Sequence, residues 1–197
     1  MSGSPERDPG ALAPPEVVIA ELRPDDTDGI DQAAALLVAA FPHWTATRDA
    51  ARDEVAELLA PGHICLTARI GNAVLGWIGA IPSYSHAWEL HPLVVRDDVR
   101  GQGIGRALVT ALEERVRQRG ALTIYLGTDD DGPVPGTSAG GVDHFPGVAS
   151  HAAKLRIVDH AAGFYRRLGF EVVGLIPEAN GPGKPDVLMA KRIGPSE

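Results

Sequence analysis

Arg100-Gly101-Gln102-Gly103-Ile104-Gly105-Arg106 joins an apolar, strand-like run (Trp88–Val95) to an amphipathic helical one (Arg106–Arg119). The helical run carries Leu108, Leu112 and Val116 on one face, cationic residues in its last turn and Gly120 as a stop. Glycines between such a strand and helix let the backbone approach an anion closely. The N–H groups of the first helical turn have no partners of their own, and the helix dipole adds partial positive charge at the same point. The pattern predicts a pyrophosphate site, with Arg100 and Arg106 at its rim. Two familiar phosphate loops are excluded. Ile104-Gly105-Arg106-Ala107 lacks the Gly-Lys-Ser/Thr of a nucleoside triphosphate loop, and Leu108 stands where a dinucleotide fingerprint would carry its third glycine. What remains is Arg-x-x-Gly-x-Gly over Arg100–Gly105.

Working outward, Val17–Leu22 reads as a strand, followed by a helix capped by Asp28 or Asp31 and running to about Phe41. A second helix spans Thr47–Ala60. His63–Ile70 and Ala73–Ile81 flank Gly71-Asn72 as a hairpin. In Trp88–Val95, Pro92 removes a ladder donor and predicts a bend or bulge. Ala121–Leu126 is a strand, Asp159–Leu168 a helix, and Phe170–Ile176 with Asp186–Ile193 a closing strand pair. Between Gly127 and Val158 lies a stretch rich in Gly, Pro, Ser and Asp, with a short helix near His151–Ile157. The order β-α-α-β-β-β-α-β-α-β-β describes an α/β protein, a mixed sheet with helices on its faces. Residues 1–15 hold four prolines and two glycines and read as a flexible tail; residues 16–197 suit a single domain.

A net charge of −8 argues against a nucleic-acid partner and for cationic ligands. The longest apolar run, Ala33–Phe41, is too short to cross a bilayer, and the acidic, proline-bearing N-terminus is not a secretory signal. The lone Cys65, in an apolar strand, reads as inert core, and the scattered histidines form no ligand pattern, so no metal is expected. The expected compartment is the cytoplasm.

Arg100–Gly105 resembles motif A of the GNAT superfamily of N-acetyltransferases, and Ala161-x-x-x-Tyr165-x-x-x-Gly169-Phe170 is similar to that family's penultimate helix. The resemblance implies a central, mostly antiparallel mixed sheet whose splayed strands hold acetyl-CoA, and direct transfer in a ternary complex. It implies that Arg100, Gly101, Gln102, Gly103, Ile104, Gly105 and Arg106 grip the pyrophosphate, that backbone N–H groups of Val94 and Val95 bind the pantetheine or thioester, and that Tyr165 protonates the departing sulfur. Transfer to an amine also needs the ammonium held and deprotonated. Glu89 and His91 alternate with apolar residues and so share one strand face. Relatives carry a carboxylate on this strand; here His91 stands twelve residues before Gly103 and Glu89 two earlier, so the choice of base stays open. Glu89 is the better electrostatic anchor and His91 the better proton acceptor near neutrality.

Trp88–Val95, Leu126–Asp130 and Ile176–Asp186, with the helix around His160–Phe170, are similar to segments of aminoglycoside 6′-N-acetyltransferases. That implies a polycationic acceptor, for which Asp129, Asp130 and Asp186 are candidate carboxylates beside Glu89, with Trp44 and Tyr84 as walls of the sugar site. Asp131, Asp143 and Glu178 are further acidic candidates, and the stretch 128–158 could fold over the drug. A homodimer through the terminal strands is the family's expectation. Another small amine or a peptide N-terminus as acceptor, or a non-catalytic acyl-CoA-binding module, are the alternatives.

Overall fold

Alternating apolar residues and helical stripes become, in a computed structural model that describes residues 16–194, twelve regular elements. They are β1 (Val18–Glu21), α1 (Thr27–Ala40), α2 (Arg48–Glu57), β2 (Ile64–Ile70), β3 (Ala73–Ile81), β4 (Ala87–Val95), α3 (Ile104–Gln118), β5 (Thr123–Asp129), α4 (Val148–Ala153), α5 (Ala161–Arg167), β6 (Glu171–Ile176) and β7 (Asp186–Arg192). The tail read at 1–15 lies outside the described residues. All seven strands join one sheet in the order β1-β2-β3-β4-β5-β7-β6, antiparallel except for β4 beside β5.

Both faces of the sheet are covered. On one, Ile104, Leu108, Leu112 and Val116 of α3 and Ala162 of α5 pack with Ile78, Trp88, Leu90, Ile124 and Leu126. On the other, Ala33 and Leu37 of α1 and Ala51 and Val55 of α2 pack on Trp77 and Val94, and the Trp77 indole donates to the Ala33 carbonyl at 3.0 Å. Cys65 is buried in this second core, and burial pushes its thiol up to about 12.

Two features of β4 give the sheet its opening. It pairs with β5 only through Ala87, Trp88 and Glu89, opposite Thr123, Ile124 and Tyr125; beyond Glu89 the two strands part. The expected irregularity at Pro92 is a bulge: Ile78 opposes Leu93 and Ala80 opposes Leu90, so His91 and Pro92 share the single residue Gly79. A Cβ at Gly79 would come 2.4 Å from the His91 carbonyl oxygen, so the bulge requires glycine there. The bulge also reverses side-chain parity. Leu90 faces the α3 core, whereas Val94 faces the α1–α2 core.

Several boundaries differ from the sequence reading. The cap of α1 is Asp26, whose Oδ1 accepts the Gly29 N–H at 2.8 Å while Oδ2 pairs with Arg69 of β2. The helix α3 begins at Ile104, so Arg106 lies inside its first turn. The short helix α4 ends at Ala153, because residues beyond it are drawn into extended contact with the loop: Ser138 N–H donates to Arg156 O, and Val158 N–H to Gly136 O, each at 2.9 Å.

Candidate active site

At the end of β4 the chain turns through Gly101 (φ 75°) and Gly103 (φ 86°) before entering α3. Both conformations are left-handed, where any side chain is strained. No side chain caps α3, and its first backbone bond runs from Ala107 N–H to Gly103 O at 3.0 Å. The N–H groups of Ile104, Gly105 and Arg106 are therefore free of helix partners and point out of the N-terminus, with the side chains of Gln102 and Arg106 exposed beside them. The Arg100 guanidinium pairs with Asp97 at 2.7 Å and donates to the Val95 carbonyl at 3.3 Å, which folds it back along the rim. Gly105 packs against Phe164 of α5, where a Cβ would come 3.2 Å from the ring. This cradle fits a diphosphate: donors at a helix N-terminus, no side chain in the way, and arginines beside it.

The diverging edge of β4 corrects one expectation. Arg96 N–H donates to Leu75 O of β3 at 2.8 Å, and Val94 opposes Trp77 in the same register. Backbone groups alternate in direction along an antiparallel pair. Val94 thus spends its N–H on β3, while Leu93 and Val95 turn theirs into the gap left by β5. The Val94 N–H is therefore not free for a pantetheine arm, whereas those of Val95 and Leu93 face the gap.

The sheet face opposite α3 gathers the polar residues. Glu89, on β4, accepts from the Tyr125 phenol at 3.1 Å and from Ser83 Oγ at 3.3 Å. Burial, more than any neighbour, raises the Tyr125 phenol, with the Glu89 carboxylate adding to the effect, so Tyr125 stays a proton donor. His91 packs edge-on against Trp44 from the α1–α2 connection, ring centres 4.9 Å apart. Trp44 is 42% exposed and Tyr84 69%; the Tyr84 ring stands 6.2 Å from that of Tyr125. Asp129 and Asp186 sit opposite each other where β5 meets β7. The Asp129 carboxylate accepts from Asn180 at 2.6 Å. Asp186 lies across Gly127, where a Cβ would come 2.3 Å from its Oδ2, and its buried Oδ1 has no hydrogen-bond partner among the described residues. Burial first, and then the neighbouring Asp129 and Glu89 carboxylates, push Asp186 up to about 6. Such a site gains on receiving a cation.

Tyr165 lies on the other side of the sheet, in the α3 core between Phe164 and Phe170, with 9% of its surface exposed. Burial raises its phenol well above the ordinary tyrosine range, so it is a protonated donor throughout the neutral range. Asp130 departs from the expected substrate surface. It is buried, and its carboxylate accepts from Gly136 N–H at 2.7 Å, Thr137 N–H at 3.0 Å and Thr137 Oγ1 at 2.7 Å. Burial alone would raise it, but these bonds outweigh that and hold it below the usual carboxylate range. Asp130 builds the loop. Among the further acidic candidates, Asp131, Asp143 and Glu178 are all exposed, and Asp143 turns its carboxylate to the Phe145 N–H.

Sequence reasoning missed Tyr125, Ser83, Leu93 and Phe164. Tyr125 carries a local signal, since it alternates with the core residues Ile124 and Leu126, but its meeting with Glu89 needs the parallel register. Leu93 carries no signal at all, because what it offers to the gap is a backbone N–H.

A strand pair that parts, a helix N-terminus left open by glycines, and a carboxylate held at the fork describe an enzyme that takes a long phosphorylated acyl carrier. The chain belongs to the acetyltransferase (GNAT) family, whose model matches residues 30–134. It is similar, at 38% identity over 91% of this chain and 99% of the other, to an aminoglycoside 6′-N-acetyltransferase crystallised with coenzyme A (TM-score 0.85). An aminoglycoside 6′-N-acetyltransferase from Enterococcus faecium is similar at 38% identity with the same coverage and a TM-score of 0.83. A ribosomal-protein-alanine N-acetyltransferase from Brucella melitensis shares the fold (20% identity, 89% and 99% coverage, TM-score 0.62). No curated protein matches the chain.

Proposed function

We propose that this acetyltransferase moves the acetyl group of acetyl-CoA to the 6′-amine of an aminoglycoside. The observation that carries the reading is the Glu89 carboxylate, held by Tyr125 and Ser83 where β4 and β5 part, with Asp129 and Asp186 on the same sheet face. Three carboxylates around one opening suit an acceptor with several ammonium groups, and exposed Trp44 and Tyr84 offer flat surfaces for sugar rings. The likeness to two aminoglycoside 6′-N-acetyltransferases supports the choice of acceptor, and the coenzyme A bound to one of them supports the choice of donor.

In this reading Gly101–Arg106 hold the diphosphate and Leu93 and Val95 bind the pantetheine and the thioester oxygen through their N–H groups. Glu89 anchors the acceptor ammonium, and its proton leaves to Glu89, His91 or a water between them. The freed nitrogen lone pair attacks the thioester carbon, with backbone donors stabilising the developing oxyanion. The nitrogen gives its second proton to water as the carbon–sulfur bond breaks, and the departing sulfur takes the Tyr165 phenolic proton, which is restored from solvent.

The test is a thioester-cleavage assay with kanamycin, spermine and a peptide amine, and assignment of the acetylated nitrogen by NMR. Kanamycin acetylated at the 6′ position, with the highest kcat/KM of the three, is the expected result. Faster turnover of spermine or the peptide overturns it. Expression in a sensitive bacterium should likewise raise the inhibitory concentration of kanamycin.

A further inference from the structure

His160 belongs to neither reacting face, yet it touches three of the segments that build them. Its Nδ1 accepts the Ala162 N–H at 3.2 Å and so caps α5, the helix of Phe164 and Tyr165. Its Nε2 lies 2.8 Å from the carbonyl oxygen of Asp129, the last residue of β5. Gly136, from the loop that Asp130 organises, packs on the imidazole, where a Cβ would come 3.1 Å from His160 Cβ and Cδ2. The bonding assigns the proton. A nitrogen facing an N–H must be the bare one, and a nitrogen facing a carbonyl must carry the hydrogen, so the ring is the neutral Nε2–H tautomer. That tautomer satisfies both bonds at once.

The geometry places this ring at the end of β5, where β7 is the one sheet partner that remains. β4 and β5 have already parted, and α5 is a helix of 7 residues that no strand ladder ties to β5. Asp129 carries its carboxylate on the amine face, while α5 carries Tyr165 in the core behind the gap. We infer that His160 is a positioning residue: its Nε2–H tether to the Asp129 carbonyl holds α5, and Tyr165 with it, in register with the amine-binding end of β5. The inference rests on the proposed roles of Tyr165 at the sulfur and Asp129 at the amine.

Two substitutions separate the tether from the cap. His160→Asn keeps an oxygen for the Ala162 N–H but is too short to reach Asp129, whereas His160→Gln places an amide near the Nε2 position and sacrifices the cap. The expected result is that His160→Asn keeps its melting temperature and acetyl-CoA affinity while kcat falls about tenfold, as for a small misplacement of reacting groups. His160→Gln should melt lower yet keep kcat within about threefold of the parent. A fast His160→Asn, or equal slowing of both variants, overturns the tether. A double-mutant cycle with Tyr165→Phe completes the test: if His160 acts through Tyr165, the cost of His160→Asn shrinks in the Phe background, and full additivity overturns the inference. Undiminished kcat in Tyr165→Phe alone would overturn the acid reading and this inference together. A slow Tyr165→Phe beside a fast His160→Asn defeats the inference alone.

Discussion

The Tyr125 phenol donates to Oε2 of Glu89 at 3.1 Å, from the last pair of residues through which β4 and β5 remain bonded. Glu89 is thus fixed at the fork of the sheet, with Ser83 as its second donor. A carboxylate so held is preorganised for a cation, which on the proposed reading is the acceptor ammonium. Removing the charge while keeping the shape, Glu89→Gln, should lower kcat/KM for kanamycin about 10²-fold, chiefly through KM, because the incoming cation loses its counter-charge. His91→Gln should depress kcat and alter the acidic limb of the kcat/KM profile. Tyr125→Phe should cost about fivefold, the worth of one hydrogen bond. Steady-state kinetics at saturating acetyl-CoA, from pH 5 to 9, decide among them. Parental kinetics in both Glu89→Gln and His91→Gln would remove this face from the mechanism.

Tyr165→Phe keeps the ring that packs between Phe164 and Phe170 and deletes the proton. Acetyl-CoA affinity should hold within twofold or so, while kcat falls about 10²-fold, the usual scale for a lost general acid. Stopped-flow measurement of the chemical step guards against product release hiding the effect. Unchanged chemistry would reduce Tyr165 to packing.

Gly103→Val places a β-branched residue at φ 86° directly before α3. Nothing lies within 4 Å of the added Cβ, so the cost is conformational and local to the loop. The loop should relax away from its left-handed turn and misalign the N–H groups of the helix terminus. Acetyl-CoA should then no longer raise the melting temperature, although the far-UV spectrum of the protein is retained. A normal ligand-induced shift would mean the diphosphate binds elsewhere.

Asp186 supplies a test on pH. Its folded value of about 6 lies above that of an unfolded aspartate, so the folded state holds this proton more tightly. The associated stability is present below about pH 4 and is lost as pH rises through about 6. Asp186→Asn removes the ionisation, so its melting temperature relative to the parent should climb between pH 4 and pH 7 and level off above. The same variant should bind kanamycin more weakly at pH 7. Thermal melts across that range check the first point, and a pH-independent difference would show that Asp186 is not held neutral by its surroundings.

Local pattern sufficed for the elements. The alternation in Trp88–Val95, the stripe Leu108–Leu112–Val116 and the glycine pair 101/103 each report a backbone state that depends on neighbours in the chain, and each element stands within a few residues of its reading. Pro92 announced the bulge because its missing N–H is a local fact. Candidate site residues were legible only where a residue type carries its own chemistry, as Glu89, His91 and Tyr165 do. Asp129 and Asp130 are adjacent and chemically identical, yet one turns its carboxylate to Asn180 and the other is consumed by Gly136 and Thr137. Val94 and Leu93 are equally apolar, and only pairing with β3 decides which N–H enters the gap. Glu89 meets Tyr125 across 36 residues, and His160 meets Asp129 across 31. These outcomes turn on register. A one-residue shift between strands exchanges both the faces of the side chains and the directions of the backbone donors, and register is set by contacts between segments far apart in the chain, which no window of sequence contains.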